Sequence, residues 1–245
     1  MRVAAVYKWA RGVDGATVHA DGTVQWRVTK MVAGEDDHAV LAVAQALAGD
    51  SDGSVVGLTI GDGDASWALA RGVTETVSVA DAPSLTDEAA TAEILAAAVT
   101  SLGGVDVVAV GDAEEHPGVA VALAGKLGWG VVAGVTRAAV TGGRVAAVRR
   151  VGDVEETVSA ATPVVLGVAA EAAEPKAPGM KELLAARKRP VTTTTLADLG
   201  LDPVDPVDQR GTRVPEVTAA RLFDGEPADA ARALVAALRN EGVLR

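Results

Sequence analysis

The chain has no cysteine. Disulfides, thiol catalysis and thiolate metal sites are therefore excluded, and the composition suits a reducing compartment. Aromatic residues are scarce as well, with one Phe, one Tyr and four Trp in 245 residues. The core must then come from Ala, Val and Leu, which suits buried parallel strands covered by Ala-rich helices. Positive charge is in deficit: 22 Lys and Arg stand against 33 Asp and Glu, for a net charge of -11. Nonspecific nucleic-acid binding draws on clustered cations and is disfavoured. Long apolar runs are missing too. The stretch 89–99 is broken by Thr91 and Glu93, and the apolar segment at the N-terminus is closed by Lys8, too short for a signal-peptide core. The expectation is a cytoplasmic protein with no membrane insertion and no nucleic-acid partner.

What is present is ample aliphatic material. Hydrophobic residues make up 49% of the chain, enough for a sizeable core at this length. Residues 2–8 read as a first strand, and Asp21-Gly22 between 16–19 and 23–28 marks a hairpin turn. Helical periodicity over 36–47 puts Val40, Val43, Ala44 and Leu47 on one face. Strand patterns follow at 54–60, 75–79, 105–110, 130–135, 156–160 and 163–168, with a hairpin over 138–148 through Thr141, Gly142 and Gly143. Helical patterns occupy 65–70, 87–102 and 118–127, the second opening on carboxylates that favour the helix dipole. This alternation implies βαβ units in an α/β fold: an open, mostly parallel Rossmann-like sheet with helices on both faces. Residues 187–211 are rich in Pro, Thr and charge and read as extended. Residues 227–244 form an amphipathic helix with Ala231, Leu234, Val235 and Leu238 on one face. The organisation expected is an α/β domain over 1–191 and, over 192–245, a C-terminal arm and helix that pack on a partner.

Ligands of such sheets bind beyond the carboxyl ends of the strands. Three loops qualify: the one after Lys8, the Gly61, Asp62, Gly63, Asp64 turn, and the loop from Gly111 to Gly118. Glycine lets backbone approach a phosphate, and a helix N-terminus supplies amide donors. Asp62, Asp64, Asp112, Glu114 and Glu115 crowd these loops with negative charge, which opposes a phosphate unless a cation intervenes. The plainer reading is tight turns with Asp as helix caps. Lys8 suits a phosphate or a partner carboxylate, or is simply a solvated strand end. His116 is a candidate ligand or acid–base group without companions, since His19 and His38 lie in other elements. Glu35, Asp36 and Asp37 have the composition of a metal cluster, but neighbours at a helix start face different ways, so dipole capping explains them better. No Ser nucleophile elbow, Walker loop or His-x-x-x-His pair occurs. The sequence offers no catalytic set and reads as a non-enzyme.

The segment from Pro163 to Val191 is the most informative. A buried-strand run leads into a proline-punctuated loop over 171–179, then a short helical pattern from Met180, then Arg187, Lys188, Arg189 and Pro190. A basic, apolar-tipped arm after a sheet strand, on an acidic protein, suits docking to another protein.

In order and spacing these features resemble the electron transfer flavoprotein beta subunit over nearly the whole chain. The resemblance rests on the Val6, Tyr7, Lys8 strand end and on the helix start Asp36, Asp37, His38, Ala39, Val40, similar to the family's Asn-Pro-Phe-Asp-Glu-x-Ala-Val. It extends to 105–111, to the Leu127, Gly128, Trp129 turn and to Glu156, Thr157 and Val158 with Pro163. It is clearest from Pro175 to Val191, where Ala186, Arg187, Lys188, Arg189 and Pro190 match an Ala-Lys-Lys-Lys-like run, and it continues through Leu199 to Asp202 and the tail after Gly242. The branch is a divergent one, similar to members tied to specialised redox pathways such as mycofactocin-linked alcohol oxidation.

The resemblance implies an adenine nucleotide alpha hydrolase-like fold and a non-catalytic electron carrier. Such a chain pairs with an alpha subunit that holds most of an FAD, covers part of it, and often binds AMP or a second FAD itself. Electrons come from flavin-dependent or other dehydrogenases and leave to a quinone oxidoreductase or other respiratory acceptor. Cofactor-side positions carried over are Val6, Lys8, Ala33, Gly34, Glu35, Asp36, Ile60, Gly61, Gly111, Asp112, Gly118 and Val119, with backbone donors at Val6, Ile60 and Gly111. Met180 falls at the docking anchor with Leu183 and Leu184 behind it, and Arg187, Lys188 and Arg189 at an alpha-facing clamp. The chain departs from the family in a shorter 111–118 loop, in Val119 and Ala120 where polar residues stand, and in Ala33, Gly34, Glu35 for Asn-Pro-aromatic. Asp62 replaces a proline, and the acidic strand signature is lost at Gly152 and Val154. The shortened loop counts against AMP. Two other readings stay open: a stand-alone adenine-nucleotide-binding sensor or regulator on the same fold, and a metal-assisted hydrolase using Asp112, Glu114, Glu115 and His116.

Overall fold

Runs of Val, Leu and Ala build the centre of the molecule because they can be buried on both faces of a parallel sheet. A computed structural model describes residues 1–12, 14–26, 29–61, 63–83, 87–112, 116–173, 177–205, 207, 208, 216 and 219–244. The strands are β1 (Arg2–Val6), β2 (Trp9–Arg11), β3 (Thr17–Val18), β4 (Val24–Gln25), β5 (Met31–Ala33), β6 (Ser54–Ile60), β7 (Glu75–Val79), β8 (Val107–Gly111), β9 (Gly130–Thr141), β10 (Arg144–Val151), β11 (Val154–Ala160), β12 (Val164–Val168) and β13 (Thr192–Thr194). The helices are α1 (Asp37–Gly49), α2 (Ala65–Leu69), α3 (Glu88–Leu102), α4 (Val119–Leu127), α5 (Met180–Ala186) and α6 (Pro227–Asn240).

Nine strands form one sheet in the order β11-β10-β9-β12-β8-β1-β6-β7-β13. Pairing is parallel from β9 to β13 and antiparallel only at β9-β10-β11. Alternate residues of each central strand feed opposite cores. Val3, Ala5 and Tyr7 join Val40, Ala44 and Leu47 of α1 and Trp67 of α2 on one face. Ala4 and Val6 join Ile94, Leu95 and Val99 of α3 and Leu123 of α4 on the other. Asp87 caps α3 by accepting the Ala90 N–H at 2.7 Å, and Asp64 caps α2 by accepting the Ser66 N–H at 2.9 Å. The Asp64 cap is the role expected of the loop aspartates, and Asp87 stands where carboxylates were expected to favour the helix dipole. The Rossmann-like sheet with helices on both faces is thus present, and so is the terminal helix.

Two segments differ from their sequence reading. The strand expected over 130–135 runs on through Thr141 as one element, because Gly134 sits at φ +69° beside an irregularity in the β12 register, and the strand continues beyond it. Thr192–Thr194, read as extended tail, is extended but paired, forming the parallel edge strand next to β7. Ala80 donates to Thr194 O at 3.0 Å, and Asp81 accepts the Leu196 N–H at 2.8 Å.

The chain divides into two units, Met1–Thr17 with Trp26–Arg210, and Val18–Gln25 with Gly211–Arg245. In the second, the expected turn forms, with Asp21 accepting the Thr23 N–H at 2.9 Å. Helix α6 has Pro at its start and leaves Leu234 and Val235 exposed. Arg27 and Val28, included in the expected hairpin, lie outside the described residues. Among the described residues no helix is long and apolar enough to cross a membrane.

Candidate functional site at the strand reversal

From β1 the chain builds outward through β6 and β7, and from β8 it builds the other way towards β12 and β9. Helix α1 covers one face and α4 the opposite one. The crevice between the carboxyl ends of β1 and β8 is therefore the topological switch point, where ligands of open α/β sheets bind. The short β2–β5 ladder pairs Trp9 with Ala33 and so returns the chain to the end of β1, placing the start of α1 in the crevice.

Several sequence candidates meet there. Asp37 Oδ2 accepts the backbone N–H of Lys8 at 3.0 Å and that of Gly34 at 2.7 Å. Asp36 lies against β8: a Cβ built on Gly111 would stand 1.6 Å from Asp36 Oδ2. A Cβ on Gly34 would stand 3.1 Å from Lys8 Cε and 3.0 Å from Asp36 Oδ1. Asp36 and Asp37 are only 6% and 4% exposed. The dipole reading holds: Asp36 is the N-cap of α1, without a side-chain cap bond, and Asp37 is the acid of its first turn. They are also the floor of the crevice. Asp37, absent from the sequence-derived ligand positions, is the residue that ties the loops after β1 and before α1 together.

Burial pushes the Asp37 carboxyl up from 3.8 to about 7, the neighbouring Asp36 charge adds to this, and the Lys8 and Gly34 N–H groups and the Lys8 charge oppose it. Between those values the folded chain holds a proton that the unfolded chain has released, so stability falls as pH rises through that window. Asp37→Asn keeps a carbonyl oxygen for the two N–H groups. The variant is expected to be more stable than the parent by a few kcal/mol near about pH 7.5 and to lose that advantage near about pH 4. Urea unfolding at the two pH values checks this; a parent–variant difference that ignores pH contradicts it.

The remaining candidates are committed to the fold. Val6 is buried within β1, and Ile60 pairs with Val79 of β7. Gly61 donates to Val79 O at 2.9 Å, and its carbonyl accepts the Ser78 hydroxyl at 2.6 Å. Asp112 donates its N–H to Val168 O and accepts the Gly134 N–H at 2.7 Å, fixing the irregular point of β9. Gly118 donates to Glu88 Oε1 at 3.1 Å, and Val119 to His116 O at 3.3 Å. Glu35 and His116 are exposed. Asp62, Glu114 and Glu115 lie outside the described residues, among which no group of three or more His, Asp or Glu is placed to hold a metal.

Although aromatics are scarce, Tyr7, Trp9 and Trp67 gather on the α1 side of the crevice. Trp67 lies 5.5 Å from Tyr7 and 6.4 Å from Trp9 by ring centroids, and His38 meets it edge-on at 5.2 Å. The Arg71 guanidinium sits 4.5 Å over the Trp67 ring, a cation–π contact. Burial, and then the Arg71 charge, hold His38 below its ordinary pKa. Burial, with Asp64 and Asp37 nearby, pushes the Tyr7 phenol up. This cluster joins residues far apart in sequence and carries no local motif.

The arm divides its candidates. On α5, Ala186 is buried with Leu69 and Ala70 of the α2 region, and Leu183 packs against them. Arg189 turns back and donates to the carbonyls of Val73, at 2.9 Å, and of Thr74. Leu183 and Arg189 therefore hold the arm to its own domain. Met180 and Leu184 point the other way, 72% and 54% exposed, one helical turn apart. Arg187 and Lys188 are exposed beside them. Residues 174–176, with the expected Pro175, lie outside the described residues.

Residues 27–199, from just before β5 to beyond β13, match the family model of the electron transfer flavoprotein domain. The chain belongs to the electron transfer flavoprotein domain family. Comparison with curated proteins gave no match. The matched span contains α1, Gly111 and α5 with the basic run after it, and leaves out β1 and Lys8. Electron transfer flavoproteins are electron carriers rather than catalysts, and the family associates generally with flavins or nucleotides. Within an electron transfer flavoprotein domain, the crevice and the arm are thus the two features with a functional claim. At the crevice the chain's own carboxylates stand close by: Asp36 lies against Gly111 at the end of β8, and Glu88 accepts the Gly118 N–H just before α4.

Proposed function

We propose that this chain is the beta-type subunit of a heterodimeric electron transfer flavoprotein in the cytoplasm. An alpha-type subunit holds most of the FAD, and this chain walls off part of it. Dehydrogenases deliver electrons to that flavin, and a respiratory or quinone-linked acceptor removes them. The flavin supplies the redox chemistry; the role of this chain is to exclude water, shape the surroundings and dock partners.

The observation that carries the reading is the arm. Helix α5 is pinned from behind by Leu183, Ala186 and Arg189, so that Met180 and Leu184 stay in solvent on a fixed support. Exposed apolar side chains on a rigid element suit partner recognition, and Met adapts to varied surfaces. Arg187 and Lys188 then suit an acidic face of the alpha-type subunit. Co-expression with an alpha-type chain tests this. A complex that co-elutes on size exclusion and carries flavin supports the reading, and a chain that stays apart from such a subunit overturns it.

A further inference from the structure

A phosphate held at the end of a parallel sheet needs backbone N–H groups left open at a glycine turn and a helix N-terminus whose positive dipole end is free. Here one of the chain's own carboxylates stands at each place: Glu88 on the N–H just before α4, and Asp36 against Gly111, the last residue of β8. Gly118, immediately before α4, gives its N–H to Glu88 Oε1 at 3.1 Å, and a Cβ on it would lie 2.1 Å from Glu88 Oε2. Glu88 comes from the first turn of α3, which packs alongside α4. Across the same connection, the Asp36 carboxylate lies on Gly111 and is almost wholly buried. A phosphate ester entering the crevice would have to displace Glu88 from the helix terminus and then rest beside Asp36, against like charge at low exposure.

We propose that Glu88 and Asp36 are built-in anions that keep the switch-point crevice closed to nucleotide phosphates, so that the chain carries no adenine nucleotide of its own. The choice of AMP as the relevant ligand rests on the beta-type reading above, whereas the occlusion follows from the geometry. Glu88 and Asp36 then determine ligand specificity by exclusion: they stand at the helix terminus and at the strand-end glycine that a nucleotide would use.

Equilibrium dialysis of the full chain without its partner tests this, with AMP and inorganic phosphate as separate probes. The parent chain is expected to retain no AMP on purification and to show no binding at about 1 mM. Glu88→Ala combined with Asp36→Asn is expected to bind AMP at least tenfold more tightly than the parent. Glu88→Gln, which keeps an acceptor oxygen but removes the charge, is expected to gain less. A parent chain that holds AMP stoichiometrically overturns the proposal, and so does a folded double variant with no gain. If the double variant does not fold, Glu88→Gln decides alone: a gain supports the proposal and no gain overturns it. Nucleotide is counted on the isolated chain and flavin on the complex. A chain free of AMP that also forms no flavin complex would therefore sink the subunit reading and leave the occlusion standing.

Discussion

Gly111→Ala is expected to lower the stability of the chain by about 3 kcal/mol, at the upper end for a single added methyl. Gly111 has no left-handed φ, so backbone freedom does not explain the glycine. The reason is the Asp36 carboxylate, whose Oδ2 would stand 1.6 Å from the new Cβ. Relief requires Asp36 to leave a site where it is 6% exposed, and the start of α1 moves with it. A double-mutant cycle isolates this cause. In an Asp36→Gly background the same substitution is expected to cost less than about 1 kcal/mol, a coupling of about 2 kcal/mol. Urea midpoints at constant m-value give all four stabilities. An equal cost with and without Asp36 would show that the strain lies elsewhere.

Met180→Asp combined with Leu184→Asp is expected to slow flavin reduction by the electron-donating dehydrogenase about thirtyfold or more, without altering unfolding of the chain. The two side chains are 72% and 54% exposed, so a polar replacement takes nothing from the core. In the proposed docking surface they are the apolar anchors, and loss of such an anchor costs about 2 kcal/mol or more in affinity, which is about thirtyfold. Leu183→Asp is the contrasting variant. It places a charge against Leu69, Ala70 and Ala186 and is expected to destabilise the domain by about 2 to 3 kcal/mol. Equal effects of the two changes on stability would contradict the division of the arm into an inner and an outer face.

The parallel strands were legible because runs such as Ser54–Ile60 and Val164–Val168 combine β-branched residues with burial on both faces. The crossover helices were legible from their Ala-rich faces, the Asp64 cap from its place in a strand-to-helix turn, and the acidic start of α3 from the helix dipole it favours. The crevice was legible only in part. Lys8 and Gly111 were picked out as candidates from their loops, and Gly34 and Asp36 from the family resemblance, but what each carboxylate touches depends on pairing across the sheet. Glu88 reaches Gly118 over 30 positions, and no local pattern announces such a contact. For the same reason the basic run after Ala186 looked uniform in sequence, although Arg189 spends its donors on Val73 and Thr74 while Arg187 and Lys188 face solvent. Thr192–Thr194 was read as a tail because a polar edge strand lacks the apolar alternation that marks inner strands.

As proposed, this member of the electron transfer flavoprotein domain family works as the beta-type half of a flavin-bearing pair. The most direct measurement is the visible absorption spectrum of the chain purified alone and purified with an alpha-type subunit. The chain alone is expected to be colourless, and the complex to show an oxidised-flavin spectrum with one FAD per heterodimer. A flavin bound by the isolated chain, or a complex without flavin, would contradict the account.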